Sequence, residues 1–185
     1  MVWIAITEDE RKAIEDIEAT GSDRATVIVA AAIVEERLAT AIKSKLHSDK
    51  EIVSHIFRVS GPLGSFSAKI DLGFLMGLYG KEAHSDLDTI KEIRNEFAHR
   101  LRSTNFNSQR VHDLCKNIKA ADSNFEIAPV RNAKKSGRFK KQKMFEALDD
   151  RSPTYMRERY VRASQVFVVR LSLFTRTRRP KAPHF

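Results

Sequence analysis

The chain has 185 residues and one cysteine, so no intrachain disulfide can form and a secreted, disulfide-stapled class is excluded. Long apolar runs are missing as well. The longest, ATVIVAAAIV from Ala25, stops at Glu35, well short of the roughly 20 residues a membrane-spanning helix needs. At the N-terminus MVWIAI runs directly into TEDE, unlike a signal peptide, and a cytoplasmic location without membrane attachment is expected. There is no glycine-rich phosphate loop, no Cys/His zinc spacing, no internal repeat and no helix-turn-helix pattern. No cofactor or metal is expected.

What is present is charge, and it is unevenly spread. Basic and acidic residues number 8 and 11 over residues 1–60, 9 and 9 over 61–130, and 16 and 4 over 131–185. The net charge of +9 therefore resides in the last third. Such a segment favours an anionic partner, nucleic acid or an acidic protein, through long-range attraction and counterion release. A solvated, disordered tail is the alternative.

Apolar residues recur at helical spacing. Residues 7–20 read as a short helix closed by Gly21. After Ser22, a cap candidate, Val27, Ala31, Val34, Leu38, Ile42 and Leu46 step by three or four along a core helix. Residues 49–59 predict a shorter helix, ended by SGPLG. From Ser65, FSAKIDLGFLMGLY is apolar on more than one side and is expected at the centre of the bundle. Gly73 and Gly77 there mark a close neighbour. Ser85 and Asp88 have capping-box spacing for the next helix, which carries Leu87, Ile90, Ile93, Phe97 and Leu101 on one stripe. SQRVHDLCKNIK follows as a helix buried through Val111, Leu114, Cys115 and Ile118. The periodicity fails over 120–151 and returns at Ser152 and Pro153, opening a helix whose core face holds Met156, Tyr160, Ser164, Phe167, Val168, Leu171 and Phe174. Its exposed face is expected to repeat Arg157, Arg159, Arg162 and Arg170.

The predicted fold is all-α, a single bundle of about six helices over 1–176. Its core covers 22–119 plus the final helix 153–176, with a basic excursion over 120–151 and a disordered basic tail over 177–185. In the excursion Arg131, Lys134, Lys135, Arg138, Lys140, Lys141 and Lys143, interleaved with Phe139 and Phe145, are the candidate nucleic-acid-binding residues.

The second candidate site is IRNEFAHRL. Metal-independent RNA cleavage needs an acid/base pair and a cation at the phosphorane, which histidine and arginine can supply. Asn95 and His99 share a helix face, whereas Arg94 and His99 differ by about 140°. Two copies across a twofold axis would assemble a better site than one. With 18 arginines and 6 histidines, an arginine followed by four, five or six residues and then a histidine arises about twice by chance. The structural alternative assigns Asn95 and His99 to helix-end hydrogen bonds, while Ile93, Phe97 and Leu101 fill the core. On the preceding core helix, Glu35 or Glu36 is expected to face Arg94 in a buried ion pair. HSDLD (His84, Asp86, Asp88) is expected to serve a helix start rather than a metal.

SDRATVIVAAAIVEERLATAI, GPLGSFSAKIDLGFLMGLYG and HSDLDTIKEIRNEFAHRL, in that order, resemble the mannitol operon repressor family of bacterial proteins. The resemblance implies an all-helical fold and a role in repressing a sugar-alcohol operon. It also implies action through a protein partner of a transcription complex, without a recognised DNA-binding module. RNEFAH separately resembles the signature of the HEPN superfamily, helical domains that include metal-independent ribonucleases. That second resemblance implies catalytic roles for Arg94, Asn95 and His99, in a possible homodimer.

Overall fold

A computed structural model describes residues 7–99, 104–122 and 152–175. Among them are seven α-helices and one short 3₁₀ turn, with no strand: α1 Glu8–Thr20, α2 Asp23–Lys43, α3 Lys50–Phe57, α4 Phe66–Leu75, α5 Lys81–His99, α6 Gln109–Asn117, the turn Lys119–Asp122, and α7 Pro153–Phe174.

The helix starts follow local chemistry. Thr7 and Glu10 form a reciprocal capping box at α1, each backbone N–H reaching the other's side chain at 3.0 and 3.2 Å. Ser22, Asp49, Ser65 and Ser152 each accept a backbone N–H three residues on. Gly21 closes α1 at φ 61°, where a side chain would be strained.

At the centre lies α2, packed against α1, α4, α5 and α7. Val27, Val34, Leu38 and Ile42 are buried in one core with Ile70, Leu87, Ile90, Ile93, Phe97, Tyr160 and Leu171. Glu10 ties α1 to α2 by accepting from Arg37 Nε and Nη2 at 2.8 and 2.5 Å.

Three expectations are corrected. First, α4 is not the bundle centre. It buries Phe66, Lys69, Ile70 and Gly73, but Phe74 and Leu75 face solvent. It also ends early, because Gly77 at φ 70° makes a left-handed cap, with Leu78 N–H donating to Gly73 O at 3.0 Å and Gly77 N–H to Phe74 O at 2.9 Å. Gly73 is a close-approach site as expected: an added Cβ would lie 2.5 Å from the Tyr79 hydroxyl and 3.1 Å from Leu38. Secondly, α5 begins one turn before Ser85, where Gly80 O accepts His84 N–H at 3.0 Å. Asp88 is thereby inside the helix, 2.5 Å from Lys91 Nζ.

Thirdly, Arg159 is buried rather than exposed. Its guanidinium donates to the carbonyls of Cys115 (3.2 Å), Lys116 (3.3 Å) and Ile118 (2.7 Å), and pairs with Asp122. These carbonyls lie at the end of α6 and its cap, so a cation inside the bundle does the work of a helix cap. Asp86 completes the joint from α5, accepting the Lys119 and Ala120 N–H groups at 3.1 and 2.7 Å. Burial raises the Asp86 carboxyl above its ordinary range, although those two hydrogen bonds oppose the shift.

Candidate functional site

The RNEFAH segment forms the last two turns of α5. Ile93 and Phe97 are fully buried, as expected, and the Phe97 ring meets Phe106 at 5.5 Å. Arg94 and Asn95 are half-buried, and His99, the last helical residue, is exposed. Leu101 lies outside the described residues.

Arg94 faces Glu35, as expected, with Nη2 3.8 Å from Oε2, but the pair is half-buried and Glu35 has a closer cation. Lys69 Nζ on α4 is 2.6 Å from Glu35 Oε1 and donates to Gly64 O at 3.2 Å. Lys69 is buried, so the carboxylate and carbonyl replace the water its ammonium has lost. One carboxylate therefore joins α2, α4 and α5 electrostatically. Neighbouring arginines also act as fasteners. Arg24 donates to the Phe97 carbonyl at the α5 terminus, while Arg157 donates from Nη2 to Thr26 Oγ1 at 2.8 Å.

Phosphoryl chemistry would require Arg94 and His99 to converge on one substrate. Within one chain they do not: Arg94 is turned across α2 to Glu35, and His99 is in solvent around the helix from it. A depression of about 480 Å³ lies between α5 and α6, lined by Glu92, Gln109, Arg110, Asp113, Leu114 and Asn117. It contains none of the three residues, and its Arg110 is bound to Glu92 and Glu96 at 2.6 and 2.8 Å.

HSDLD is split by the helix. Asp86 points inward to the 3₁₀ turn, while His84 faces outward with Nε2 2.9 Å from Asp71 and its ring 5.0 Å from Phe74. Among the described residues no group of three or more His, Cys, Asp or Glu side chains could hold a metal. The basic run Arg131, Lys134, Lys135, Arg138, Lys140, Lys141 and Lys143, with the excursion and the tail 177–185, lies outside the described residues.

The surface contains one feature that composition did not reveal. Helix α3 buries no residue, and an eight-residue helix is marginal without packing. Only its end is tied inward: Phe57 packs on the core with Lys43 Nζ 4.8 Å above its ring. Ile52 is 58 % exposed and Val59 97 % exposed. The turn after α3 is nevertheless tightly built. Gly61 N–H donates to Arg58 O at 2.8 Å, Leu63 N–H to Ile56 O at 3.0 Å, and Gly64 N–H to Gly61 O at 2.9 Å. A Cβ at Gly61 or Gly64 would stand 2.4 or 2.2 Å from a backbone oxygen, so only glycine allows this closure. GPLG was legible as a breaker; its outward presentation of Val59 was not.

A family model described as the mannitol repressor matches residues 9–169. Among solved structures, similarity extends to the MtlR–HPr complex from Escherichia coli, with a TM-score of 0.62 at 15 % identity over 90 % of this chain and 99 % of that one. It also extends to a possible transcriptional regulator, YggD, from Shigella flexneri 2a str. 2457T, with a TM-score of 0.60 at 15 % identity over 92 % and 99 %. No curated protein matches. At such identity the structural likeness establishes the fold, and no described helix is long and apolar enough to cross a membrane.

Proposed function

The chain belongs to the mannitol repressor family, and from that premise we propose that it is a transcriptional regulator acting by grasping a protein partner rather than by catalysis. The observation that carries the proposal is α3 with its glycine turn. A short helix that buries none of its own residues, followed by a rigid turn holding Val59 in water, offers an apolar face for another protein to cover. The solved complex of MtlR with HPr gives the partner class its precedent. The basic run from Arg131 to Lys143 adds a second, electrostatic means of holding nucleic acid or an acidic protein.

Calorimetric titration with purified Escherichia coli HPr is the direct test. We expect binding by the wild type and a loss of at least about tenfold for Val59→Asp and Ile52→Asp, since each places a charge in the contact. Equal affinity for wild type and both variants would sink the α3 surface; absence of binding by the wild type would remove HPr as partner. A parallel salt series with duplex DNA and RNA addresses the basic run, where phosphate contacts require affinity to fall steeply as salt rises.

A further inference from the structure

Between the segment that joins α4 to α5 and the last turns of α7 opens a cleft of about 320 Å³. Its deepest lining is apolar, because Leu78, Phe167 and Leu171 are buried. Tyr79 and Phe174 are half-buried beside them, and Leu173 and Arg170 stand exposed on the solvent side. The cleft is built into the fold. Gly77 at φ 70° turns the chain so that Leu78 is buried, and the Tyr79 hydroxyl donates to Ile70 O at 2.7 Å, which fixes the ring.

The lining decides what the cleft can take. Small-molecule sites run from roughly 300 to 1,000 Å³, so this one suits a compact ligand such as a medium-length acyl chain. A polyol would need a hydrogen-bond partner for each hydroxyl it buries. Only Tyr79 and Arg170 carry polar side-chain atoms in the lining, and the Tyr79 proton is already committed to Ile70 O. An apolar body is therefore favoured inside.

At the mouth the preference is for an anion. Arg170 is the one charged lining residue. Its planar fork matches a carboxylate, and with five N–H donors it can take one in addition to the contacts it already makes. Helix α5 begins beside the cleft, where Gly80 and Ala83 line it, so the positive end of that helix acts in the same direction.

We propose that this cleft is a binding site for a small amphipathic carboxylate, a medium-chain fatty acid in class, with its chain against Leu78, Phe167 and Phe174 and its carboxylate on Arg170. The site shares no residue with α3 or its glycine turn, so it is tested without any protein partner.

Amide chemical-shift titration of the full chain with sodium octanoate at neutral pH is the test. We expect a dissociation constant on the order of 1 mM, ordinary for a ligand of this size, with shifts concentrated at residues 78–83 and 167–174. Arg170→Gln should weaken octanoate by about fivefold, a modest loss because the charge pair sits at a half-open mouth. Leu173→Asp should weaken it by about tenfold or more, since it sets a like charge beside the carboxylate. Both side chains are exposed, so thermal midpoints should stay near the wild-type value. Octylammonium, with the same chain and the opposite charge, should bind at least about tenfold more weakly than octanoate. No octanoate binding by about 20 mM, an affinity unchanged in either variant, or octylammonium bound as tightly as octanoate overturns the proposal.

Discussion

Helices α7 and α3 are both amphipathic, yet they dispose of their apolar faces in opposite ways. Over 22 residues α7 buries ten, including Tyr160 with its hydroxyl donated to Val27 O at 3.2 Å, and even its Arg159 is drawn inward. Over eight residues α3 buries none, and the turn that follows it holds Val59 in solvent by three backbone hydrogen bonds. Apolar periodicity thus identifies a helix face that must be covered without saying by what. In α7 the cover is α2 and α6; in α3 we assign it to another molecule.

The contrast breaks most visibly under truncation. Tyr160→Ala removes a fully buried ring and its hydroxyl's hydrogen bond to the Val27 carbonyl, and should cost about 4 kcal/mol in urea unfolding. Val59→Ala and Ile52→Ala should move the same midpoint by less than about 0.5 kcal/mol. A comparable loss at Val59 would mean that α3 is covered from within the chain.

Arg159 tests whether α7 holds its neighbours by polar as well as apolar means. Arg159→Met keeps much of the stem volume but takes the guanidinium donor away from the Cys115 and Ile118 carbonyls. A loss of about 2 kcal/mol is expected, below the usual cost of a broken buried pair because Asp122 can regain water. Hydrogen exchange should locate the damage at the end of α6 and the 3₁₀ turn. A variant as stable as wild type would show that the guanidinium contributes nothing net at this joint.

Much of the frame was legible because local rules and packing agree. Ser22, Ser65 and Ser152 cap where they were expected, and Val27, Val34, Leu38 and Ile42 are buried as their spacing requires. The Glu35–Arg94 pairing could be anticipated too, since both residues lie on core helices. Lys69 as the closer cation was harder to see. Its hint was a lysine within an otherwise apolar stretch, where burial demands an anion. Arg159 was out of reach: the carbonyls it serves lie 41 to 44 residues back, and nothing in α7 distinguishes it from Arg162. The exposed C-terminal end of α4 was harder to foresee for a related reason: strong apolarity predicts burial and does not reveal that Gly77 ends the helix with Phe74 and Leu75 in solvent.

At neutral pH the smallest effect concerns Cys115, which lies in α6 against Arg159 and acts on stability only under alkaline conditions. Burial pushes the thiol from its ordinary value of 9.0 up to about 12, and the Arg159 charge offsets only part of that shift. The sign of the linkage follows. Below about pH 9 both folded and unfolded chains keep the proton, and the contribution to stability is fully present. Between about 9 and about 12 the unfolded chain releases a proton that the folded chain retains, so stability falls as pH rises, by at most about 1.4 kcal/mol per pH unit from this group. Cys115→Ala should flatten that part of the pH profile. At pH 8 a thiol reagent should leave the native protein unlabelled until urea opens it. In a Cys115→Ser background, Val59→Cys should label at the rate of an unfolded thiol, because position 59 is almost fully exposed. Saturating HPr should then slow labelling at 59. Fast labelling at 59 despite saturating HPr would place HPr elsewhere on the surface, and fast labelling of native Cys115 would mean that α6 opens readily from the bundle.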